Sequence, residues 1–347
     1  MTDLYLTGGE QRNNSLIPAA EWHAAKKAVV LQLDADTGKV TDQLEYLTPP
    51  HACSPDNPAI TFKAATLCGK MLYACTSTEV IVFELPGFRR VGYVSLPCFN
   101  DLHHVLPTPN GTLIVVVTGL DMVVEISLEG EVLREWSAIG EDPWARFSRE
   151  IDYRKVTTTK PHRSHPNFAF LLGDDIWTTR CQHKDAVCLT SPDRRIDIAV
   201  SFPHDGHIFR DWIYFTTVDG HIVIANSHSL KVEWVIDLNT IDKPEGCVLG
   251  WCRGLLPVTE TLVWVGFTLI RPTKFVEMVD WLKGLHPGSK PTRIALYDLS
   301  ARRCVREVAL SPYGMDLVFS IVAAPTIGET EPVLAGTGVA SSTEQTR

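Results

Sequence analysis

Twelve histidines are spread over the 347 residues, and six of them fall in three short segments. These are NDLHH at Asn100–His104, HRSHPN at His162–Asn167 and HDGH at His204–His207. Neutral imidazoles suit iron, copper, zinc and nickel, whereas carboxylate and carbonyl sets suit calcium and magnesium. Three or four histidines around one ion with an open coordination position would make a catalytic centre. His104, His165, His204 and His207 are therefore the expected metal ligands, and the expected cofactor is a transition metal, iron or copper first and zinc next. Asp101 and Asp205 are the expected catalytic carboxylates, because a ligating histidine commonly donates its other N–H to a carboxylate or carbonyl. Lys63 and Arg253 are expected to hold an anionic substrate, the arginine through its bidentate fork. His103 and His104 are adjacent, so in a regular strand they face opposite ways; His104 is assigned to the channel side. Any one of these histidines could equally cap backbone groups or fill a polar channel, and HxxH in a strand or turn does not put both rings on one face. The argument rests on the set.

The set means something only if separate parts of the chain bring it together. Short apolar runs dominate the sequence, among them KMLYACTST, EVIVFEL, TLIVVVTG, DIWTTR, WIYFTT, HIVIANS, TLVWVGF and RIALYDL. They are short, rich in β-branched and aromatic residues and separated by turn residues, which predicts strands. Helical periodicity is confined to Ala19–Ala28 and to Lys274–Leu285. The strands recur in units of four that begin near Pro58, His103, His165, His204 and Arg253, with a sixth unit split between the chain ends. Repeats of this length with four strands each predict an all-β, six-bladed β-propeller over residues 1–335. A seventh blade would need more sheet in Trp22–Pro50 or in 140–160. The sixth blade is expected to close with a hairpin from Ala28–Leu33 and Val40–Tyr46 and with inner strands from Asp316–Ala323 and Glu331–Ala335. Residues 274–285 are expected as a helical insertion and 336–347 as a disordered tail.

In a propeller the first strand of each blade lines the central channel. Counting back nine residues from the first apolar residue of the second strand gives Lys63, His104, His204 and Arg253, and a longer inner turn puts His165 at the same level in the third blade. Five blades thus present Lys, His, His, His and Arg at one mouth of the channel.

Composition narrows the function classes. The formal net charge is −9, which repels nucleic acid and anionic lipid. No apolar run is long enough to span a bilayer, and the first residues lack the features of a secretory leader. Nine cysteines at irregular spacing, without a CxxC, fit a reducing compartment. A cytoplasmic protein with a small-molecule substrate, no nucleic-acid partner and no membrane partner is expected. GxGxxG, P-loop, GxSxG and HExxH motifs are absent from the sequence.

The stretch NDLHHVLPTPNGTLIVVVTGLDMVVEISLEGEVLREW resembles the repeat of NHL and SMP-30/gluconolactonase-like propellers: an opening histidine, a Pro/Asn-Gly turn, an apolar strand and a late D-x-V strand. The resemblance implies the fold. It leaves the chemistry open, since a superfold hosts many functions. The SMP-30 metal set is rich in Glu, Asp and Asn, and this chain offers histidine instead. In ligand type an all-histidine centre resembles the four-histidine iron of carotenoid-cleaving propellers. The expected function is a metal-dependent enzyme acting on a small anionic molecule, redox or oxygen-using first and a metal-assisted lyase, isomerase or hydrolase second. The competing classes are a non-enzymatic interaction scaffold and metal-free binding of a sugar or peptide in the channel, with the same histidines as hydrogen-bond donors.

Overall fold

The computed structural model describes residues 3–12, 25–56, 58–242, 247–270 and 288–323. They form six four-stranded antiparallel sheets, the blades of an all-β propeller. Five blades follow the chain: β4–β7 (Ala65–Val94), β8–β11 (Leu102–Ser137), β12–β15 (Pro166–Asp197), β16–β19 (His207–Asp237) and β20–β23 (Trp251–Ala309). The sixth is assembled from both ends in the order β24 (Leu317–Ala323), β1 (Asp3–Gln11), β2 (Ala25–Asp34), β3 (Val40–Tyr46). Closure through both termini leaves no blade with an open inner edge. Among the described residues no α-helix is present and no helix is long and apolar enough to cross a membrane.

Middle strands are apolar on both faces because each blade is packed between two others. In β9 (Leu113–Val117) every residue is buried. Its odd positions join the cluster shared with the preceding blade, and Ile114 and Val116 join the cluster shared with the next. Outer strands have one wet face, and β23 (Arg303–Ala309) alternates exposed and half-buried residues along its whole length.

Two expectations change. The sixth blade takes one strand from the C-terminus and three from the N-terminus, because Asp3–Gln11 is itself a strand; Glu331–Ala335 lies outside the described residues. Gly8 and Gly9, which weaken its strand signature, are required by packing. A Cβ on Gly8 would sit 1.8 Å from the Leu317 carbonyl oxygen, and one on Gly9 2.7 Å from that of Lys27. Of the stretch expected to be helical at 19–28, residues 25–28 belong to β2. The segment 140–160 contributes only a single 3-10 turn at Tyr153–Lys155, so no seventh blade arises there. The insertion at 274–285 and the tail at 336–347 lie outside the described residues.

Candidate functional site

The channel opens at one end into a cavity of about 490 Å³, within the range of small-molecule sites. The starts of the inner strands supply its lower wall: Lys63, Asp101 and His103, His165 and Asn167, His204, and Trp251 with Arg253. The sixth blade adds Leu317 and Phe319, and two loops, 48–59 and 154–162, build the upper wall.

Lys63, His165, His204 and Arg253 therefore meet where the repeat arithmetic puts them. His104 does not, and its neighbour His103 takes the place. The inner strand β8 (Leu102–Pro107) carries a bulge: Leu102 pairs with Val117 and His104 with Val116, so His103 is an inserted residue. A bulge shifts the faces by one position, and Asp101, in a left-handed conformation at φ +47, completes the turn. The His104 ring is fully buried and stacks on Phe168, centroids 3.7 Å apart and planes 13° from parallel. Its Nδ1 accepts from the Ala169 N–H at 3.2 Å, and its Nε2 donates to Thr66 Oγ1 at 3.0 Å. With both nitrogens bonded across two blade interfaces, His104 is a packing residue.

His207 is also absent from the cavity wall. Its ring lies against Phe168, 4.7 Å between centroids. Asp205 is buried beneath the site, where Oδ2 accepts from the Gly254 N–H at 3.0 Å and from Thr216 Oγ1, tying the fourth blade to the fifth. Asp101 does face the cavity, with Oδ1 3.2 Å from Lys63 Nζ.

Within the cavity His103 is the hub. Its Nδ1 donates to the Asp101 carbonyl oxygen at 2.8 Å, so Nε2 carries the lone pair. Its ring is 5.1 Å from that of His165 and 6.1 Å from that of His204, centroid to centroid. His165 Nδ1 is 2.8 Å from His162 Nδ1, one donating to the other. His204 Nδ1 is 3.6 Å from Asp205 Oδ2, beyond hydrogen-bonding distance. Neither ring nitrogen of His204 makes a hydrogen bond among the described residues. Burial lowers the imidazoles of His103, His165 and His204 below the ordinary histidine range; Asp101 pulls the first two upward and Asp205 the third, without restoring them. Withdrawal from water raises the Asp101 carboxyl, but the neighbouring ammonium groups, Lys63 foremost and then Lys160, outweigh it and hold the group well below its usual value. At neutral pH the imidazoles are neutral and the carboxylate is charged.

Phe319 forms the floor. Lys63 Nζ lies 4.7 Å and Arg253 Cζ 4.6 Å from the centre of its ring. The sequence arithmetic gave no place to Phe319, His162, Asn100 or Lys160, all of which line the cavity. For His162 the clustering in HRSHPN was the available signal.

A metal held by imidazole nitrogens at about 2.0–2.1 Å needs those nitrogens within about 4.2 Å of one another. Among the described residues, Asp242, Cys304 and Glu307 form the one group of three His, Cys, Asp or Glu whose ligand atoms lie within 4.8 Å of each other. That group is remote from the channel mouth, and its carboxylates are already paired with Lys290 at 2.9 and 2.7 Å and with Arg293 at 2.8 Å. No three of His104, His165, His204 and His207 converge, and exchanging His104 for His103 does not close the set. As placed, the imidazoles do not fit a mononuclear ion.

The chain matches no protein-family model and no curated protein. Solved structures are similar over most of its length. One is a protein of unknown function from Bacteroides caccae, 14% identical, with a TM-score of 0.57 over 93% of this chain and 99% of that one. Another is a chain of the nidogen/laminin complex, 10% identical, with a TM-score of 0.56 over 93% and 98%. At such identities the likeness is one of fold alone.

Proposed function

We propose that the channel mouth binds a small anionic organic molecule, held by Lys63 and Arg253 above Phe319 and hydrogen-bonded by the neutral imidazoles of His103, His165 and His204. The supporting observation is an inversion of charge. The chain carries a net −9, yet the cavity is lined by Lys63, Lys160, Arg253 and Arg154 against a single carboxylate, Asp101. Of these, Arg154 pairs with Asp152 at 2.8 Å and Lys63 with Asp101 at 3.2 Å. In a recess shielded from water such charges attract an anion more strongly than they would on the surface. Neutral imidazoles can each donate and accept, so they can read hydroxyl or carbonyl groups without adding charge.

Isothermal titration of the tag-free protein with malonate, citrate and inorganic phosphate tests the reading. At least one probe should bind, and Arg253→Gln should weaken it tenfold or more. Absence of binding by all three probes, or binding indifferent to Lys63→Met and Arg253→Gln, would overturn it.

A metal-dependent enzyme is the second reading, and one observation favours it. His103 donates Nδ1–H to a carbonyl and keeps Nε2 as a lone pair, the orientation of a ligating histidine. Closing such a centre requires side-chain rotation to bring a third nitrogen into range. Elemental analysis of tag-free protein before and after incubation with Fe(II), Cu(II) and Zn(II) decides between the readings. One equivalent lost in His103→Ala/His204→Ala supports the metal; probe binding unchanged by a chelator supports the metal-free site. An interaction scaffold, the remaining class, makes no use of the inward-facing charge.

A further inference from the structure

The wall of the cavity that carries Lys160, His162 and His165 is a loop, and two buried side chains of the second blade grip it at its two ends. Asn100 Nδ2 donates at 2.8 Å to the carbonyl oxygens of Tyr153 and of Val156. Twenty-one residues after Asn100, Asp121 takes hold of the histidine end. Its Oδ2 accepts from the Arg163 N–H at 2.8 Å, and its Oδ1 accepts from the N–H groups of Ser164 at 2.9 Å and His165 at 2.8 Å. Arg146 Nη1 completes the set at 2.7 Å. Three consecutive amides converging on one carboxylate make an anion-binding nest, and the left-handed conformation of His165, φ +54, belongs to that arrangement. Asp121 is 2% exposed and does not line the channel cavity.

The geometry points to Asp121 as a positioning residue of the anion site: by clamping residues 163–165 it fixes the His162–His165 imidazole pair in the cavity wall, and through that pair the affinity for the bound anion. The inference rests on the anion-binding reading. The reason is geometric. The Nδ1–Nδ1 contact of 2.8 Å requires both rings to be held by the backbone, since His162 has one other polar contact, a 3.3 Å approach to Thr159 Oγ1. His165 in turn stands 5.1 Å from the hub ring of His103. A loop released from Asp121 frees the left-handed residue to relax, because non-glycine residues hold φ above zero only where their surroundings impose it.

The test uses two variants that keep the backbone of position 121, which is itself left-handed at φ +52. Asn and Gly both tolerate that conformation. Asp121→Asn turns one acceptor into a donor facing N–H groups, and Asp121→Gly removes the carboxylate altogether. In protein labelled with 15N at histidine, the nitrogen–nitrogen coupling across the His162–His165 hydrogen bond is expected in the parent and lost in both variants. Arg146→Ala, which leaves the nest intact, should retain it. Where the parent binds malonate, citrate or phosphate, both variants should bind that probe at least tenfold more weakly, about 1.4 kcal/mol, while the far-ultraviolet circular dichroism of the propeller is preserved. A purely structural role would lower the melting temperature and leave coupling and affinity unchanged, and that result overturns the inference. Absence of probe binding by the parent would sink the anion-site reading, while the coupling would still decide the clamp on its own.

Discussion

Lys63 and Arg253 come from the first and fifth blades and approach the same ring, Phe319, at 4.7 and 4.6 Å from its centre. The sixth blade therefore completes the site with an aromatic ring that contacts a cation from each of two other blades. The ring stabilises both cations, and the Asp101 carboxylate 3.2 Å from Lys63 adds to this for one of them. Removing the ring should accordingly matter to binding although Phe319 carries no charge. Phe319→Leu is expected to weaken the best-bound probe about three- to tenfold, the scale of one or two cation–π contacts, and, because the ring is buried, to cost about 1 kcal/mol of stability. Titration calorimetry reads the affinity and urea unfolding the stability; an unchanged affinity would separate the ring from the site.

His103 and His104 should behave oppositely on substitution. His104→Ala removes a buried ring stacked on Phe168 and two inter-blade hydrogen bonds. It should lower stability by about 3 kcal/mol, as for other buried rings. His103→Ala opens space into a wet cavity, so stability should change by less than about 1 kcal/mol while probe affinity falls. Urea unfolding and calorimetry on the two proteins check the crossing pattern. Equal stability losses would contradict the placement of the two rings.

That pair also shows how far the sequence carries. Five blades were legible because alternation and turn residues repeat, and Lys63, His165, His204 and Arg253 followed from counting. The count fails at His103 because it assumes an unbroken pleat, and a bulge at that residue is set by tertiary contacts. The strand Asp3–Gln11 was hidden by Gly8 and Gly9, whose reason is the approach of Leu317 and Lys27. Phe319 escaped because its blade joins chain ends more than 300 residues apart, so no second strand follows from which to count back. Asp121 acts on backbone amides 42–44 positions away, and amides leave no mark in a sequence.

Acid should destabilise the fold earlier than carboxylate titration alone would. Burial lowers His104 to about 3, and His103, His165, His204 and His207 are lowered for the same first reason. A histidine of the unfolded chain titrates near 6.5. Below that value the unfolded state binds protons that the folded state refuses, so the stability is whole above about pH 6.5 and is lost as pH falls toward the folded values. Each such group costs about 1.4 kcal/mol per pH unit. Urea midpoints measured at successive pH values should fall below about 6.5 in the parent, and less steeply in His104→Gln. A flat profile down to the carboxylate range would mean that these rings are not excluded from protonation.

The closure of the sixth blade offers the sharpest test of the architecture. β1 pairs with β24 through a register shift between Thr7 and Gly8. There the chains approach so closely that an added methyl group would overlap the Leu317 carbonyl oxygen at 1.8 Å. Neither atom is at the end of a flexible side chain, so Gly8→Ala can be accommodated only by moving one strand off the other. That movement also disturbs Thr7, whose Oγ1 bonds the Lys63 carbonyl at 2.6 Å and Ser320 Oγ at 2.7 Å at the edge of the site. The expected loss exceeds about 3 kcal/mol, in the range reserved for overpacking of a rigid core. Protease cleavage should begin within the N-terminal strand. Gly173→Asn is the matched control: Gly173 is left-handed at φ +63, an added Cβ meets nothing within 4 Å, and Asn tolerates that conformation. Its stability should stay within about 1 kcal/mol of the parent. Urea unfolding of both variants decides the matter, and a Gly8→Ala protein as stable as the control would show that the two ends of the chain do not close the propeller through this contact.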